Sequence, residues 1–193
     1  MSGRFNENTR VQVPAAIHLC RLGYTYLDRI DAAEYEPSTN ILVGVFREAM
    51  SRLNPEMSDA EISLQLSSLV QAAKNDDLGR EFYRKITSVS GVRFIDFDNP
   101  NNNLWHCTTE FTCENPDTHD SFRPDITCFV NGLPLAFIEV KKPNNHEGML
   151  AERERLNTRF RNKAFRPFLN ITQLMIFSNN QEYESENVVP VQG

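Results

Sequence analysis

At 193 residues the chain is long enough for one substantial domain with its own buried core. Its 40% apolar and 24% charged residues are those of a globular protein, and no run approaches the roughly 18 apolar residues of a membrane span. A net charge of −6 argues against an autonomous high-affinity nucleic-acid binder, which must neutralise phosphates, but not against a protein to which nucleic acid is delivered by other parts.

The opening MSGRFNENTR lacks the basic-then-apolar pattern of a secretion signal, so the expected address is cytoplasmic, with no membrane partner. Residues 10–22 (RVQVPAAIHLCRL) predict a helix stopped by Gly23 as its C′ glycine. Ser38, Thr39 and Asn40 offer caps to a second helix running to about Arg52 and ended by Asn54-Pro55. Ser58-Asp59-Ala60-Glu61 has the capping-box spacing and opens a third, to about Lys74. A fourth spans Leu78 to Ile86, before the break at Ser90-Gly91.

From there the period changes. Residues 92–97, 104–113, 125–130, 135–141 and 173–178 read as strands, and the polar stretch 147–163 as an exposed helix between the last two. Strand, helix, strand over this length predicts a right-handed crossover between parallel strands. The expectation is an α/β domain with a mixed central sheet flanked by helices: a mainly helical part over 1–90, then a sheet and crossover over 91–180.

The stretch 123–143, RPDITCFVNGLPLAFIEVKKP, is a hairpin around Asn131-Gly132 whose apolar pattern is interrupted by Asp125, Glu139 and Lys141. Alternation puts Glu139 and Lys141 on one face. A two-residue turn pairs Asp125 with Ile138, on the wrong face; a three-residue loop, Val130-Asn131-Gly132, pairs it with Phe137 and returns it to the face of Glu139. The three-residue loop with a glycine bulge is the expected form, though an offset at the strand start would also rescue the site. Two carboxylates on one face can hold a hard divalent cation, with the Val140 carbonyl as a further oxygen ligand. Lys141 would then orient a water and stabilise developing negative charge. An acid in a turn and an ordinary exposed E-x-K edge strand remain the bland alternative.

This stretch resembles the nuclease signature of the N-terminal domain of the R (restriction) subunit of type I restriction endonucleases, members of the PD-(D/E)xK superfamily. Pro124-Asp125 and Glu139-Val140-Lys141 supply the core motif, FVNGLPL lies between its halves, and RLGY (21–24) and SRLN (51–54) are similar flanking stretches. The resemblance covers roughly residues 10–180. It implies a restriction-endonuclease-like fold, a Mg²⁺ cofactor (Mn²⁺ as a substitute), metal ligands Asp125 and Glu139, and Lys141 as the catalytic lysine. It further implies double-stranded DNA as substrate, with methyltransferase and specificity subunits as partners. No GxxxxGK[ST] loop occurs, so ATP would act only through motor domains outside this chain, which would then be a fragment.

Two departures stand out. The superfamily often carries another acid on an early helix, where this chain offers only Gln12 and His18. Many type I subunits have QxxxY on the helix after the E-x-K strand; here Leu156 and Phe160 hold the best-matching spacing. A non-catalytic module of the same fold, used for DNA binding or assembly, is therefore the second reading, and a stand-alone nuclease the third.

Arg155 and Arg159, one turn apart, and Lys142 beside the E-x-K motif are the candidate phosphate contacts, with a solvated helix face as the alternative. Trp105 is read as packing, and His106 as a possible general base. His106, Cys107 and Cys113 could be drawn as metal ligands, but a structural zinc site needs four, often in close-spaced pairs, so buried thiols are the better account.

Overall fold

The computed structural model describes residues 11–114, 119–141, 151, 154–155, 157–159 and 161–178. The first helix, α1 (Val13–Arg21), carries Pro14 in its first turn and closes ahead of Gly23 (φ +104°), as expected. A strand too short to anticipate, β1 (Thr25–Tyr26), follows. Then come α2 (Val43–Leu53), α3 (Asp59–Ala73) and α4 (Arg80–Ile86). The capping box of α3 is present in full: Ser58 Oγ accepts from Glu61 N–H, and the Glu61 carboxylate accepts from Ser58 N–H at 2.8 Å.

The cap expected for α2 is not used. Leu42 is its N-cap residue, while Ser38 and Thr39 turn their hydroxyls onto the Glu36 carboxylate. Leu42 instead donates its N–H to the carbonyl of Gly132 at 2.9 Å, so a distant turn secures the start of α2.

Residues 92–97 form no strand, a correction to the sequence reading. Three asparagine side chains satisfy this backbone in place of a neighbouring strand. Asn54 bonds both N–H and C=O of Arg93, Asn103 both of Asp96, and Asn131 the carbonyl of Phe94, all at 2.8–2.9 Å. The strand expected over 104–113 is also shorter. It is β2 (Trp105–Thr109), ended where Glu110 takes φ +58°, with β3 (Cys113–Glu114) separate.

After β4 (Ser121–Phe122) the hairpin strands are β5 (Ile126–Val130) and β6 (Leu133–Val140). The described residues at 151, 154–155, 157–159 and 161 are helical; α5 (Arg166–Ile171) and β7 (Leu174–Ser178) follow. The main sheet has the order β1-β2-β5-β6-β7. Its β1/β2 and β6/β7 pairs are parallel and the two between them antiparallel, so β6 and β7 are parallel as the crossover required. β3 and β4 make a separate antiparallel ribbon. This is the mixed sheet flanked by helices expected of an α/β fold. Among the described residues no helix is long and apolar enough to cross a membrane.

Alternation along the central strands divides the core. Ile126, Cys128, Ile138 and Val140 pack with Cys107, Val11 and Leu19 under α1. Phe129 and Phe137 point the other way, into an aromatic cluster with Phe111, Phe122 and Phe168. A third cluster joins α2, α3 and α4 to the turn end of the hairpin through Leu133 and Leu135. Phe46, Phe82, Phe129 and Phe137 are fully buried, each contributing about 2–3 kcal/mol by removal from water.

Candidate active site

The hairpin register differs from both alternatives considered. Its turn has two residues: Val130 pairs with Leu133, and Asn131 (φ +53°) and Gly132 (φ +79°) give the doubly positive pattern of a type I′ turn. Two residues further along β5, Cys128 pairs with Ala136, so β6 spends Pro134 and Leu135 where β5 has Phe129 alone. That bulge sits at the residue that cannot donate to a ladder. It advances the register by one, so Ile126 faces Ile138 and the next position sets Asp125 opposite Glu139. The expected glycine-bulged loop is thus replaced by a tight turn plus a bulge inside β6. The offset brings the two acids onto one face.

Asp125 is held from three directions. Its carboxylate Oδ2 accepts the N–H of Val140 at 2.7 Å. Its carbonyl accepts Glu110 N–H at 3.1 Å and the side-chain amide of Gln12 at 2.8 Å. Pro124, buried just before it, restrains the backbone entering the strand. Glu139 is 5% exposed, on the face of Phe137 and the aromatic cluster. Lys141 follows β6 by one residue, and its N–H bonds Ser178 on β7 at 2.8 Å, so the strand alternation carries its side chain to the face of Glu139.

An oxygen donor set for a hard cation is consistent with this row. In an extended strand the N–H and C=O of one residue leave on the same side. Because Val140 N–H meets Asp125, the Val140 carbonyl also emerges beside that carboxylate. Among the described residues no three His, Cys, Asp or Glu side chains converge on one point, so the row offers two carboxylates and a carbonyl and leaves the remaining positions to water or substrate oxygens.

The other expected residues fall as follows. Arg159 lays its guanidinium 4.2 Å from the centroid of Phe122, which also contacts Phe137; it therefore flanks the face that carries Glu139. Arg155 is exposed. Lys142, Leu156 and Phe160 lie outside the described residues. His106 is three residues along β2 from Thr109, about 10 Å from the Asp125 end of the sheet, and burial keeps its imidazole below the usual histidine range. It is not brought to the site. Trp105 packs edge-on against Tyr24, as read. Cys107 lies in the core under α1 and Cys113 in the aromatic cluster, so with His106 they form no metal set.

Two residues at the site escaped the sequence reading. Glu110 stands across from Asp125, with Oε2 2.9 Å from Arg123. Gln12, for which the sequence suggested no role, is 3% exposed and reaches both Glu110 and Asp125. His18 on the same helix is exposed.

Comparison with known proteins adds an independent line. A family model described as type I restriction enzyme R protein N terminus matches residues 4–184. A putative type I restriction enzyme MjaIXP endonuclease subunit of Methanocaldococcus jannaschii is 28% identical over 171 residues, covering 76% of this chain and 16% of that protein. The type I restriction enzyme HindI endonuclease subunit of Haemophilus influenzae is 27% identical over 122 residues, covering 53% of this chain and 11% of that protein. The chain thus spans less than a fifth of the length of either relative.

Proposed function

The chain belongs to the family of type I restriction enzyme R protein N-termini, and from that premise we propose that it is a Mg²⁺-dependent DNA endonuclease domain. The observation that carries the reading is the row formed by Asp125 opposite Glu139, with Val140 N–H fixing the Asp125 carboxylate and Lys141 following on the same face. Both relatives bear the name endonuclease subunit, which supports a nuclease role.

In this reading Asp125, Glu139 and the Val140 carbonyl hold the cation. When bound, Mg²⁺ polarises the scissile phosphate and lowers the pKa of an attacking water. Asp125 arrives pre-oriented, since its second oxygen is already committed to the Val140 amide and its carbonyl to Gln12 and Glu110. Glu139 is 5% exposed, so the attraction between its carboxylate and a bound cation is little screened by water. Lys141 orients the water and stabilises charge developing on the phosphate oxygens. Arg155, Arg159 and Lys142 contact the DNA backbone. ATP-driven translocation belongs to segments outside this chain, a reading the greater length of both relatives supports. Methyltransferase and specificity subunits complete the assembly and supply the recognition sequence.

The test is calorimetric titration of Mn²⁺ or Mg²⁺ into the wild-type chain and into Asp125→Ala and Glu139→Ala, each checked for native circular dichroism, with and without duplex DNA. Binding that is lost in both variants supports one cation between the two carboxylates. No binding at millimolar metal, even with DNA present, would refute the metal reading and leave the non-catalytic module.

A further inference from the structure

Gln12 is a polar side chain on an otherwise apolar contact between α1 and the sheet. It is 3% exposed and donates to Asp125 O at 2.8 Å and to Glu110 Oε1 at 3.1 Å. These partners lie 113 and 98 residues away, so the amide ties the start of α1 to the ends of two strands at once. Glu110 Oε2 is taken by Arg123 at 2.9 Å, but that pair is about half exposed and screened by water, so the buried amide is the firmer end of the brace.

The placement matters because of what Asp125 does next. It precedes β5, where ladder pairing has not begun, so its main chain is held by Pro124, Glu110 N–H and Gln12. Its carboxylate then reaches across to Val140 N–H at 2.7 Å. A shift of the Asp125 carbonyl moves that carboxylate directly. The brace also engages both oxygens of Glu110, which stands across the ladder from Asp125, and so anchors this third carboxylate to Gln12 and Arg123.

We infer that Gln12 is a positioning residue: its buried amide sets the Asp125 carboxylate against Val140 and fixes Glu110 in its place. This rests on the reading of Asp125 as a metal ligand, but its first consequence can be measured without metal.

Gln12→Met keeps the side-chain size and removes both donations. In the 193-residue chain, hydrogen exchange at the Val140 amide should quicken about five- to tenfold as its hydrogen bond loosens. Amides in the middle of β5, at 127–129, should keep their rates. The Mn²⁺ dissociation constant should rise about tenfold, as for other groups that orient a metal ligand. Gln12→Glu places an acceptor-only carboxylate against the Glu110 carboxylate and the Asp125 carbonyl, and should weaken Mn²⁺ binding as well. Should Gln12→Met not fold, Gln12→Asn, one methylene shorter, gives the same exchange readout. Unchanged Val140 exchange in a folded variant overturns the inference whether or not the wild type binds Mn²⁺. So does tighter Mn²⁺ binding by Gln12→Glu, which would make position 12 a ligand position. A wild type that binds no Mn²⁺ while Val140 exchange still responds overturns only the metal reading.

Discussion

Gly132→Ala should be among the most damaging single-methyl additions in the chain, and the structure separates its two causes. Gly132 has φ +79°, a region that costs an L-residue about 1–2 kcal/mol. A Cβ there would also lie 2.6 Å from the carbonyl oxygen of Leu42 and 2.8 Å from the nitrogen of Phe46. Both are main-chain atoms of the first turn of α2, which cannot swing aside as a side chain would. Overpacking of this kind adds about 1–3 kcal/mol. Gly23 is the internal control: its φ is +104°, and a Cβ there meets nothing within 4 Å. Gly23→Ala should therefore show the conformational cost alone. Both variants share the gain of a less flexible unfolded chain, so that gain cancels in the difference. Urea denaturation followed by circular dichroism should place Gly132→Ala about 1–3 kcal/mol below Gly23→Ala with an unchanged m value. In thermal melts the gap corresponds to about 2–12 °C for a chain of this size. Equal losses in the two variants would refute the claim that the turn is pressed against α2.

Lys141→Met should leave the Mn²⁺ affinity of the chain within about twofold while lowering DNA cleavage by the complete R-subunit assembly about 10²- to 10³-fold; a parallel loss of metal binding would contradict the division of roles. Burial pushes the thiols of Cys107 and Cys128 up to about 12 and that of Cys113 higher still, whereas Cys20 is exposed. At pH 8 the native chain should therefore consume one equivalent of a thiol reagent promptly and all four only in denaturant. Asp96 accepts from the Asn102 side chain and from the N–H groups of Asn99 and Asp98, and these bonds hold its carboxyl below the usual range. Its stabilisation is therefore present above about pH 4, the unfolded value, and disappears as pH falls through the lowered folded value. The stability gap between wild type and Asp96→Asn, followed by urea midpoint, should shrink as pH is taken from 6 to 3; a constant gap would show that Asp96 does not titrate with folding.

How far the sequence could be read depended on whether the deciding partners were local. The capping box of α3 needs only Ser58 and Glu61, three residues apart, and it was legible in full. Residues 92–97 alternate like a strand, but beside the nearby Asn103 their backbone is satisfied by Asn54 and Asn131, 39 and 37 residues away, and no local pattern announces those two. Asp125, Glu139 and Lys141 stood out because charges interrupt an apolar hairpin. The register that makes Asp125 face Glu139 did not, since it turns on one extra residue in β6. Pro134 was the available signal: with a two-residue Asn131-Gly132 turn it falls inside the strand, where a proline marks a bulge. The brace of Gln12 and Glu110 was illegible, because both contacts depend on α1 folding back against the end of β2.

The Asn131-Gly132 turn, buried against α2 and the 94–104 segment, divides the stretch 125–141 into parts under different demands. Asn131 binds Leu104, Phe94 and Asn103, and Gly132 admits the backbone of α2, so FVNGLPL serves architecture. In the proposed reading Asp125 and Glu139 answer instead to metal chemistry, at the far end of the same strands. A chain that exchanged both acids would therefore still need the middle of this stretch in order to fold. In the proposed reading a search profile weighted toward FVNGLPL would gather chains by fold, and the two end acids are the positions by which to tell a metal-binding chain from a bare scaffold.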